Sequence, residues 1–218
     1  MAKRDSTAPR IDRVVLAALE DGDGAALQTD GRVDGLRFAD LDASGADLSG
    51  SVLDECLLQA VRLDEARLDG ARIVDSVLDG VTATHLRGAR LQLRDVRLEG
   101  CRFGAAEWFE AQLDRVELVG CRIDYLALTD ARLTDVRFTD CTIGDLDLRG
   151  ATVQRTAFVD SRVRELSALD ARIEHLDLRG ADLDGVVGVR SLAGATISTD
   201  QLPRFAPLLA DALGIVVE

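Results

Sequence analysis

The sequence predicts a solenoid, a single elongated domain in which the chain winds in short, equal steps around one core. Thirty consecutive five-residue units run from residue 36 to residue 185 without insertion or deletion. The centre of 26 units is large and apolar, and the residue two places before each centre is small or apolar. The segment's 48 charged residues avoid both positions. A period of five fits neither a helix nor a flat strand. Each unit should therefore form one side of a winding chain, with two residues pointing inward and three outward.

Some units follow the pattern Ala-Asp-Leu-x-x closely. Ala46–Gly50 and Ala181–Gly185 match it fully, and Ala66–Gly70 differs at one position. This pattern resembles that of the pentapeptide-repeat family, and the resemblance covers 150 of the 218 residues. It implies an all-β solenoid, a right-handed quadrilateral β-helix with four units per coil and the centres stacked inside. Thirty units then give about 7.5 coils, or a rod about 36 Å long at ~4.8 Å per coil.

Residues one coil apart should stack, because four units of five give a spacing of twenty. Gly88 is predicted to lie below Trp108, a small residue against a large one, as close packing requires. The preceding centre, Ala83, is also small, so a narrow coil is predicted over residues 81–90. Trp108 is expected in the core. The frame points Phe109 outward, which makes it the best single candidate for contact with a partner.

Residues 1–35 are predicted to form an N-terminal tail and a capping helix, with residues 1–10 disordered. Apolar residues follow helical spacing at Ile11, Val14, Val15, Ala18 and Leu19. The run Asp21–Gly24 should stop this helix. Such a helix would cover the unpaired strand edges that the first coil of a solenoid exposes.

The repeat domain is predicted to span residues 36–198, with its frame slipping by one residue near the end. Leu192 and Ile197 are five apart but offset from Leu183. Residues 199–218 should then form a helix and a terminal strand. Ser198–Gln201 reads as a capping box that opens the helix, and Gly214 should end it. Pro203 and Pro207 should kink or divide the helix, and Ile215–Val217 is the predicted strand.

The C-terminal segment is also predicted to make a homodimer. Its helix carries more apolar area than capping one coil requires, and two-fold interfaces are the commonest assemblies. The ending is similar to that of the actinobacterial, mycobacterial fluoroquinolone-resistance members of the family, whose C-terminal segment makes a homodimer. The predicted interface consists of Leu202, Phe205, Leu209 and Leu213.

Four cysteines raise the question of a metal site or a disulfide. Cys101, Cys121 and Cys141 are twenty residues apart and should stack in one column, with Cys56 on the neighbouring side. All four occupy the inward position two residues before a centre. Stacked neighbours would hold their Cβ vectors parallel instead of converging, and no Cys-x-x-Cys pair accompanies them. We therefore predict buried free thiols that act as small hydrophobic residues.

Little else in the sequence points to chemistry. His85 and His175 fall at outward positions on different sides and are expected to be solvated. No nucleophile motif or phosphate-binding glycine loop occurs, so no enzyme activity, catalytic residue, cofactor or metal is predicted. The chain starts without a hydrophobic signal core and contains no apolar run of membrane length. We expect a cytoplasmic protein with no membrane partner.

The acidic charge bears on function through the family resemblance. Relatives bind DNA gyrase or topoisomerase IV by imitating duplex DNA, and the net charge of −13 invites the same interpretation. However, a duplex about 36 Å long carries ~21 charges, whereas the repeat segment has a net charge of −10, with no strongly negative side. Residues 36–85 are the most acidic part at −6. Any acidic docking patch is therefore expected there, at Asp42, Asp47, Asp54 and Glu55.

These observations favour a non-enzymatic, rod-shaped protein-interaction module that binds a partner through its outer surface. The alternative is a DNA mimic that binds and modulates DNA gyrase or topoisomerase IV and confers resistance to quinolones or other topoisomerase poisons. Direct binding of nucleic acid is not expected from either hypothesis, because the chain is acidic.

Overall fold

The predicted solenoid is confirmed in a computed structural model, which describes residues 7–27 and 30–216. The chain forms a parallel-stranded β-solenoid of about nine turns with one short C-terminal helix. We number its sides by their first complete units: side 1 begins with residues 36–40, side 2 with 41–45, side 3 with 46–50 and side 4 with 51–55. Each side then recurs every twenty residues.

Short strands form the first coils, and longer strands follow from residue 72 onward. The first are β1 (Glu20–Asp21), β2 (Arg32–Asp34), β3 (Leu36–Ala39), β4 (Val52–Asp54) and β5 (Leu57–Gln59). The longer strands are β6 (Arg72–Asp79), β7 (Thr82–Arg87), β8 (Gln92–Glu99), β9 (Arg102–Glu107), β10 (Gln112–Val119), β11 (Arg122–Ala127), β12 (Arg132–Thr139), β13 (Thr142–Asp147), β14 (Thr152–Val159), β15 (Ser161–Ser167), β16 (Arg172–Asp177) and β17 (Ala181–Val187). The last strand, β18 (Ala195–Thr196), precedes helix α1 (Leu202–Ala212). Short 3₁₀ helices occupy Gly24–Ala26 and Val189–Leu192.

Two parallel sheets wrap the prism. Twelve strands cover sides 4 and 1, and the six strands β7, β9, β11, β13, β15 and β17 cover side 2 and the start of side 3. Partners are twenty residues apart, as the sequence predicts: Leu98, Leu118 and Phe138 stack in register. All three side chains are buried. Because every inward position recurs above its equivalent, one continuous apolar core fills the prism.

Left-handed backbone turns the chain at most corners. The last residue of a unit has a positive φ at, for example, Asp140 (φ 52°) and Gly120 (φ 61°). The corner between sides 2 and 3 behaves in this way only in the first coils, at Gly45 and Glu65. From His85 onward the strands of the smaller sheet run through that corner without a left-handed residue.

The predicted pairing of Gly88 with Trp108 is confirmed. A Cβ on Gly88 would lie 2.9 Å from Trp108 Cδ1 and 3.3 Å from Leu91 Cβ, so only glycine leaves room for both neighbours. Trp108 is 2% exposed and meets Phe103 edge-on, with ring centroids 6.1 Å apart. The tryptophan is therefore a core residue, as expected.

The predicted N-terminal helix is wrong. Residues 9–19 instead form an extended segment, which we call the strap, on the outside of the coils. Of the residues assigned to the helical stripe, Val15 and Ala18 are exposed, whereas Ile11, Val14 and Leu19 are half-buried. The half-buried side chains pack against the outer face of the β-strands. This tertiary contact outweighs the local helical pattern of the sequence.

The chain start differs from the prediction in two further ways. The predicted disorder of residues 1–10 lies partly outside the described residues, and within them the Arg10 N–H donates to Asp135 Oδ1 at 2.8 Å. Strand β1 pairs with β3, so the solenoid begins before residue 36. Val33 is an in-frame centre that pairs with Leu53. These additions at the start account for much of the difference between the observed nine turns and the predicted 7.5 coils.

Two of the predictions for the C-terminal segment, the slip of the frame and the Ser198–Gln201 capping box, are confirmed. Leu176 pairs with Ala195, a spacing of nineteen, which confirms the slip of the frame. Ser198 and Gln201 exchange the reciprocal bonds of a capping box, Ser198 N–H to Gln201 Oε1 at 2.8 Å and Gln201 N–H to Ser198 Oγ at 3.3 Å. However, α1 is one helix that continues through Pro207.

Gly214 follows the end of α1 with φ 72°, in the left-handed conformation that commonly ends a helix. The terminal strand predicted at residues 215–217 is wrong for Ile215 and Val216, which form no strand. Val217 lies outside the described residues. No helix within the described parts of the chain is long and apolar enough to cross a membrane.

Candidate functional site

The four carboxylates predicted as an acidic patch do not share a surface. Asp42 lies on side 2, Asp47 on side 3, and Asp54 and Glu55 on side 4. Three of them face an arginine one coil away or nearby: Asp42 and Arg62 are 3.2 Å apart, Asp47 and Arg67 3.9 Å, and Asp54 and Arg32 3.3 Å. The negative charge of the first coils is therefore distributed around the prism and locally balanced.

Local hydrogen bonds further stabilise two of these carboxylates. The Ser44 hydroxyl donates to Asp42 at 2.6 Å, and this bond, with the Ser44 N–H and Arg62, lowers the pKa of Asp42. Hydrogen bonds from Ser49 similarly lower the pKa of Asp47. Such turns at unit corners orient the carboxylates toward their own chain, because an Asp side chain readily bonds a backbone N–H two residues on.

Phe109 is outward and 39% exposed, as predicted. It belongs to a set of exposed apolar residues on side 3 that the repeat pattern alone did not single out. Leu169, in the same column about three coils (~14 Å) away, is 45% exposed. Val187, on the same side, is 41% exposed. We call Phe109, Leu169 and Val187 the side-3 patch.

A polar cluster lies within the side-3 patch. Arg149 Nε and Nη2 donate to Asp147 at 2.9 and 2.5 Å, and the Thr129 hydroxyl donates to the same carboxylate at 3.2 Å. Tyr125 Oη lies 3.5 Å from Asp147 Oδ2. Burial alone would raise the pKa of Asp147, but the bonds from Arg149 outweigh it and the pKa lies below the usual range.

The carboxylate at the centre of this cluster is largely enclosed. Asp147 is only 5% exposed although it occupies an outward position, because Arg149 folds over it. A cleft of about 310 Å³ beside it is lined by Tyr125, Asp147 and Arg149 together with Leu169 and Val187 of the patch. Sequence reasoning missed the cluster because its members come from two successive coils. The twenty-residue stacking rule, applied to outward positions, would have brought Tyr125, Asp147 and Arg149 onto neighbouring positions.

The four cysteines are buried free thiols, as predicted. The Cys101, Cys121 and Cys141 thiols donate to backbone carbonyls of the preceding side, at 3.3–3.5 Å for Leu78, Leu98 and Leu118. Contact with Cys101, together with burial, raises the pKa of Cys121 to about 12. Burial also raises the pKa of Cys56. Protonated, enclosed thiols of this kind are poor nucleophiles.

The two histidines differ from each other. His175 is partly exposed, with Nε2 3.7 Å from Glu174 Oε1. His85 is less solvated than predicted, because its ring lies between Glu65 and Glu107, with Nδ1 3.5 Å from Glu65 Oε2 and Nε2 2.9 Å from Glu107 Oε2. The stacking of coils supplies one carboxylate from below and one from above. Across the described ranges, no group of three or more His, Cys, Asp or Glu residues is arranged to hold a metal ion.

The strap lies against side 1 and its corner with side 4. There Arg155 donates to the Asp135 carboxylate through Nε and Nη2, both at 2.7 Å. The Arg10 N–H donates to the same carboxylate. Burial alone would raise the pKa of Asp135, but these bonds lower it below the usual value. On side 1, Glu117 bridges Arg97 and Arg137 of the coils below and above.

Of the predicted dimer residues, three are exposed and one is buried. Leu202 is 49% exposed, Leu209 38% and Leu213 72%, whereas Phe205 is 5% exposed and belongs to the core of its own chain. A cleft of about 490 Å³ between α1 and the last coil is lined mainly by apolar side chains. Gln201, which sequence reasoning treated only as part of the capping box, also donates to the carbonyls of Leu178 and Ala181 at 2.7 Å. Its amide therefore caps the last coil.

The stacked coils, with outward residues repeating every twenty positions, define a repeat protein of the solenoid class. Comparison with protein families identifies the family. A family model of pentapeptide repeats (8 copies) matches residues 36–80, and one of a pentapeptide repeat region matches residues 91–168. Together they cover more than half of the chain. The chain belongs to the pentapeptide-repeat family.

Solved structures with a similar fold include full-length QnrB1, a plasmid-mediated fluoroquinolone resistance protein. The two chains share 19% identity, with 90% of this chain and 95% of QnrB1 covered and a TM-score of 0.40. HetL, a pentapeptide repeat protein involved in heterocyst differentiation regulation in the cyanobacterium Nostoc, shares 16% identity. That match covers 76% of this chain and 89% of HetL, with a TM-score of 0.21. No curated protein matches the chain.

Proposed function

We propose that this chain is a non-enzymatic interaction protein that binds a protein partner through side 3 of its middle coils. The observation that carries the proposal is the side-3 patch. Phe109, Leu169 and Val187 expose apolar area on one side, around the hydrogen-bonded Tyr125–Asp147–Arg149 cluster. Elsewhere in the repeat, outward positions are mostly polar or charged.

The patch places the aromatic ring of Phe109 on the same side as Tyr125 and Arg149, two residue types that are common in binding hot spots. Aromatic anchors beside satisfied polar groups contribute most to protein interfaces, since they bury large area at little cost in side-chain entropy. Phe109 follows the fully enclosed Trp108, so its backbone is fixed by the core. A partner could therefore bury the ring without reorganising the coil.

A matched pair of variants tests this proposal. Phe109 and Val159 are both 39% exposed, but Val159 lies on side 1. Partner capture from a lysate of the source cell, followed by mass spectrometry, should give a protein that wild type and Val159→Ala retain and Phe109→Ala loses. Equal retention by all three would contradict a side-3 site. We place this partner in the cytoplasm, because four free thiols suit a reducing compartment.

A second candidate is the DNA mimic that acts on DNA gyrase or topoisomerase IV. It is favoured by the net charge of −13, concentrated in the first coils. The distribution of Asp42, Asp47 and Asp54 over three sides, each near an arginine, argues for weak activity. A duplex mimic needs a dense, one-signed surface to compete for a basic groove.

Gyrase supercoiling assays over a range of salt separate the two candidates. A mimic should inhibit at low micromolar protein, lose potency steeply with salt, and fail when Asp42, Asp47, Asp54 and Glu55 are replaced by lysine. We expect inhibition to be weak or absent, because the sides are nearly balanced in charge. Potent, salt-sensitive inhibition that Phe109→Ala leaves intact would instead favour the mimic.

We further propose a homodimer through the exposed side of α1. The side chains of Leu202, Leu209 and Leu213 are exposed and can contact a second copy. Phe205 is buried in the core of its own chain. Light scattering of wild type should give twice the chain mass, and Leu209→Asp with Leu213→Asp should give a folded monomer. This pair is preferable to deleting residues 199–218, because the deletion would also remove Gln201 and uncap the last coil. A wild type that is monomeric at high micromolar concentration would end the proposal.

A further inference from the structure

The strap crosses several coils on the outside of the solenoid. The N-terminal end of the strap is held at Asp135 through the Arg10 N–H. Its C-terminal end leads into β1, which pairs with Leu36 and Arg37. These anchor points are about five coils apart along the rod. In a solenoid each coil otherwise contacts only its neighbours. The strap is thus an addition to the repeat and not part of its winding.

The strap is lightly held. Among the described residues, segment 9–19 makes one hydrogen bond to the coils, from Arg10, and no ion pair through Asp12 or Arg13. Val15 is 81% exposed, and Arg10, Asp12 and Arg13 are exposed as well. What remains is apolar contact through the half-buried side chains of Ile11, Val14, Leu16 and Leu19, of which Ile11 and Val14 line the side-1 surface. Displacing the strap therefore disturbs little of the fold.

The charged groups on the surface beneath the strap are paired with one another and do not depend on the strap. We call Val77, Val96, Arg97, Glu117 and Arg137 the side-1 strip. Glu117 satisfies both arginines, with Arg137 Nη1 3.4 Å from Glu117 Oε1. Arg155 independently holds Asp135, the N-terminal anchor of the strap. The strip therefore keeps its shape when the strap leaves, as a preorganised binding surface must.

The strap does not pack tightly against the side-1 strip. A cleft of about 580 Å³ remains between them, lined by Ile11–Val14 on one wall and by Val77, Arg97, Glu117 and Arg137 on the other. The facing charges balance, since Glu99 and Glu117 oppose Arg97 and Arg137. A bulkier apolar side chain at the Ile11 or Val14 position would occupy this volume and remove more area from water.

We propose that the side-1 strip is a docking groove for an extended peptide segment of a partner protein, and that the strap is its built-in, displaceable occupant. The strap defines the chemistry of the partner segment: an extended backbone with an N–H for Asp135, followed by two apolar residues three positions apart. Large side chains fit these two positions best. Because the groove is charge-balanced, binding depends little on salt. This groove is independent of the side-3 patch.

A labelled peptide with the strap's own sequence, Thr7–Leu19, is the probe. The receptors are the full-length chain, an Ile11→Asp/Val14→Asp variant that releases the strap, and a matched Val15→Asp variant whose change points to solvent. By fluorescence anisotropy the released variant should bind at least ~10-fold more tightly than the other two, because a tethered strap competes at an effective concentration on the order of millimolar. The same peptide with leucine in place of Val14 should bind the released variant more tightly, and with aspartate at both Ile11 and Val14 it should not bind.

Thermolysin cleavage on the N-terminal side of Leu19, away from the substituted positions, reports the state of the strap itself. Cleavage should be several-fold faster in the Ile11→Asp/Val14→Asp variant than in wild type and Val15→Asp. A folded released variant that fails to bind the peptide would overturn the proposal, as would equal cleavage of all three proteins. A dimer that the released variant abolishes would assign the groove to a second copy and overturn the choice of partner. A released variant that also carries Phe109→Ala should bind the peptide with unchanged affinity. This result would show that the side-1 groove and the side-3 patch are separate binding sites.

Discussion

The first coils, residues 36–80, and the middle coils, residues 81–187, close sides 2 and 3 differently although they repeat the same unit. In the first coils these sides carry single bridges, such as Asp42 with Arg62, separated by tight turns. Ala46 and Ala66 each donate their N–H across the turn, at 3.1 Å. In the middle coils the same corner is continuous strand, from β7 to β17.

The difference follows the size of the inward residue that begins side 3. It is alanine at positions 46 and 66, where the corner is tight, and a large residue at most later coils: Leu86, Leu126, Leu146, Leu166 and Val186. A leucine needs interior volume that a tight corner does not leave, so the corner opens and the backbone continues as strand. Ala106 is an exception.

A second exception supports the same reasoning. Leu91 begins side 4 after a tight turn, where several other coils carry alanine. The centre that precedes this turn is Gly88, and a Cβ there would lie 3.3 Å from Leu91 Cβ. A glycine centre thus compensates for a large residue at a tight corner. The five-residue period therefore sets the fold, whereas residue size sets the shape of each corner.

The largest expected effect comes from an inward charge in the middle coils. Leu118→Asp should bury an unpaired carboxylate in a fully enclosed stack and abolish cooperative folding. Val119→Asp, one residue on and pointing outward, should fold with near-wild-type stability. Circular dichroism melting compares the two. Equal tolerance at both positions would show that the inward and outward assignments are wrong.

Exchanging residue sizes at the corner should destabilise both regions for opposite reasons. Leu126→Ala leaves a cavity and should cost about 2–5 kcal/mol. Ala66→Leu overpacks a tight corner and should cost about 1–3 kcal/mol. Urea unfolding measures both, with exposed Arg122→Ala as a surface control within about 0.5 kcal/mol of wild type. A stabilising Ala66→Leu would contradict the link between residue size and corner shape.

Acid should distinguish a buried ion pair of the middle coils from an exposed pair of the first coils. The lowered pKa of Asp135 means that its contribution to stability is present above the unfolded value near 3.8 and is lost as pH falls through the folded pKa. Asp135→Asn should cost about 1–3 kcal/mol at pH 7, since Arg155 loses its partner. The difference from wild type should shrink below about pH 4.

Asp42→Asn is the first-coil counterpart. The Asp42 and Arg62 side chains are 59% and 58% exposed, so water replaces the lost contact and the melting temperature should change much less. Melting temperatures recorded from pH 7 to pH 2 test both variants. A gap between wild type and Asp135→Asn that stays constant to pH 2 would count against the ion pair as its source.

Thiol labelling should show the smallest effect. All four cysteines are at most 1% exposed, so none should react with a thiol reagent in the native state. Cys56 reports on the first coils, and Cys101, Cys121 and Cys141 report on the middle coils. At urea concentrations below the global transition, Cys56 should label first, because its coils have fewer paired strand residues on sides 2 and 3. Simultaneous labelling would indicate a single cooperative unit.

The amino-acid sequence alone predicts the period, the inward positions and the burial of residues such as Trp108 above Gly88. It also predicts the slip near Leu183 and the helix that begins after Gln201. These features follow from short-range rules, because each unit contacts the units five and twenty residues away at fixed spacing. Even the exposure of Phe109 is a consequence of the frame.

Three features are visible only in the folded chain: the path of the strap, the Tyr125–Asp147–Arg149 cluster and the separation of the acidic residues around the prism. Ile11, Val14 and Leu19 satisfy a helical pattern, yet the outer face of the β-strands offers them a surface only after the coils have formed. The cluster and the ion pairs depend on which outward side chain reaches which neighbour. The core does not fix the side chains at outward positions. Their partners depend on which neighbouring side chains lie within reach in the folded chain, and the repeat period does not determine this.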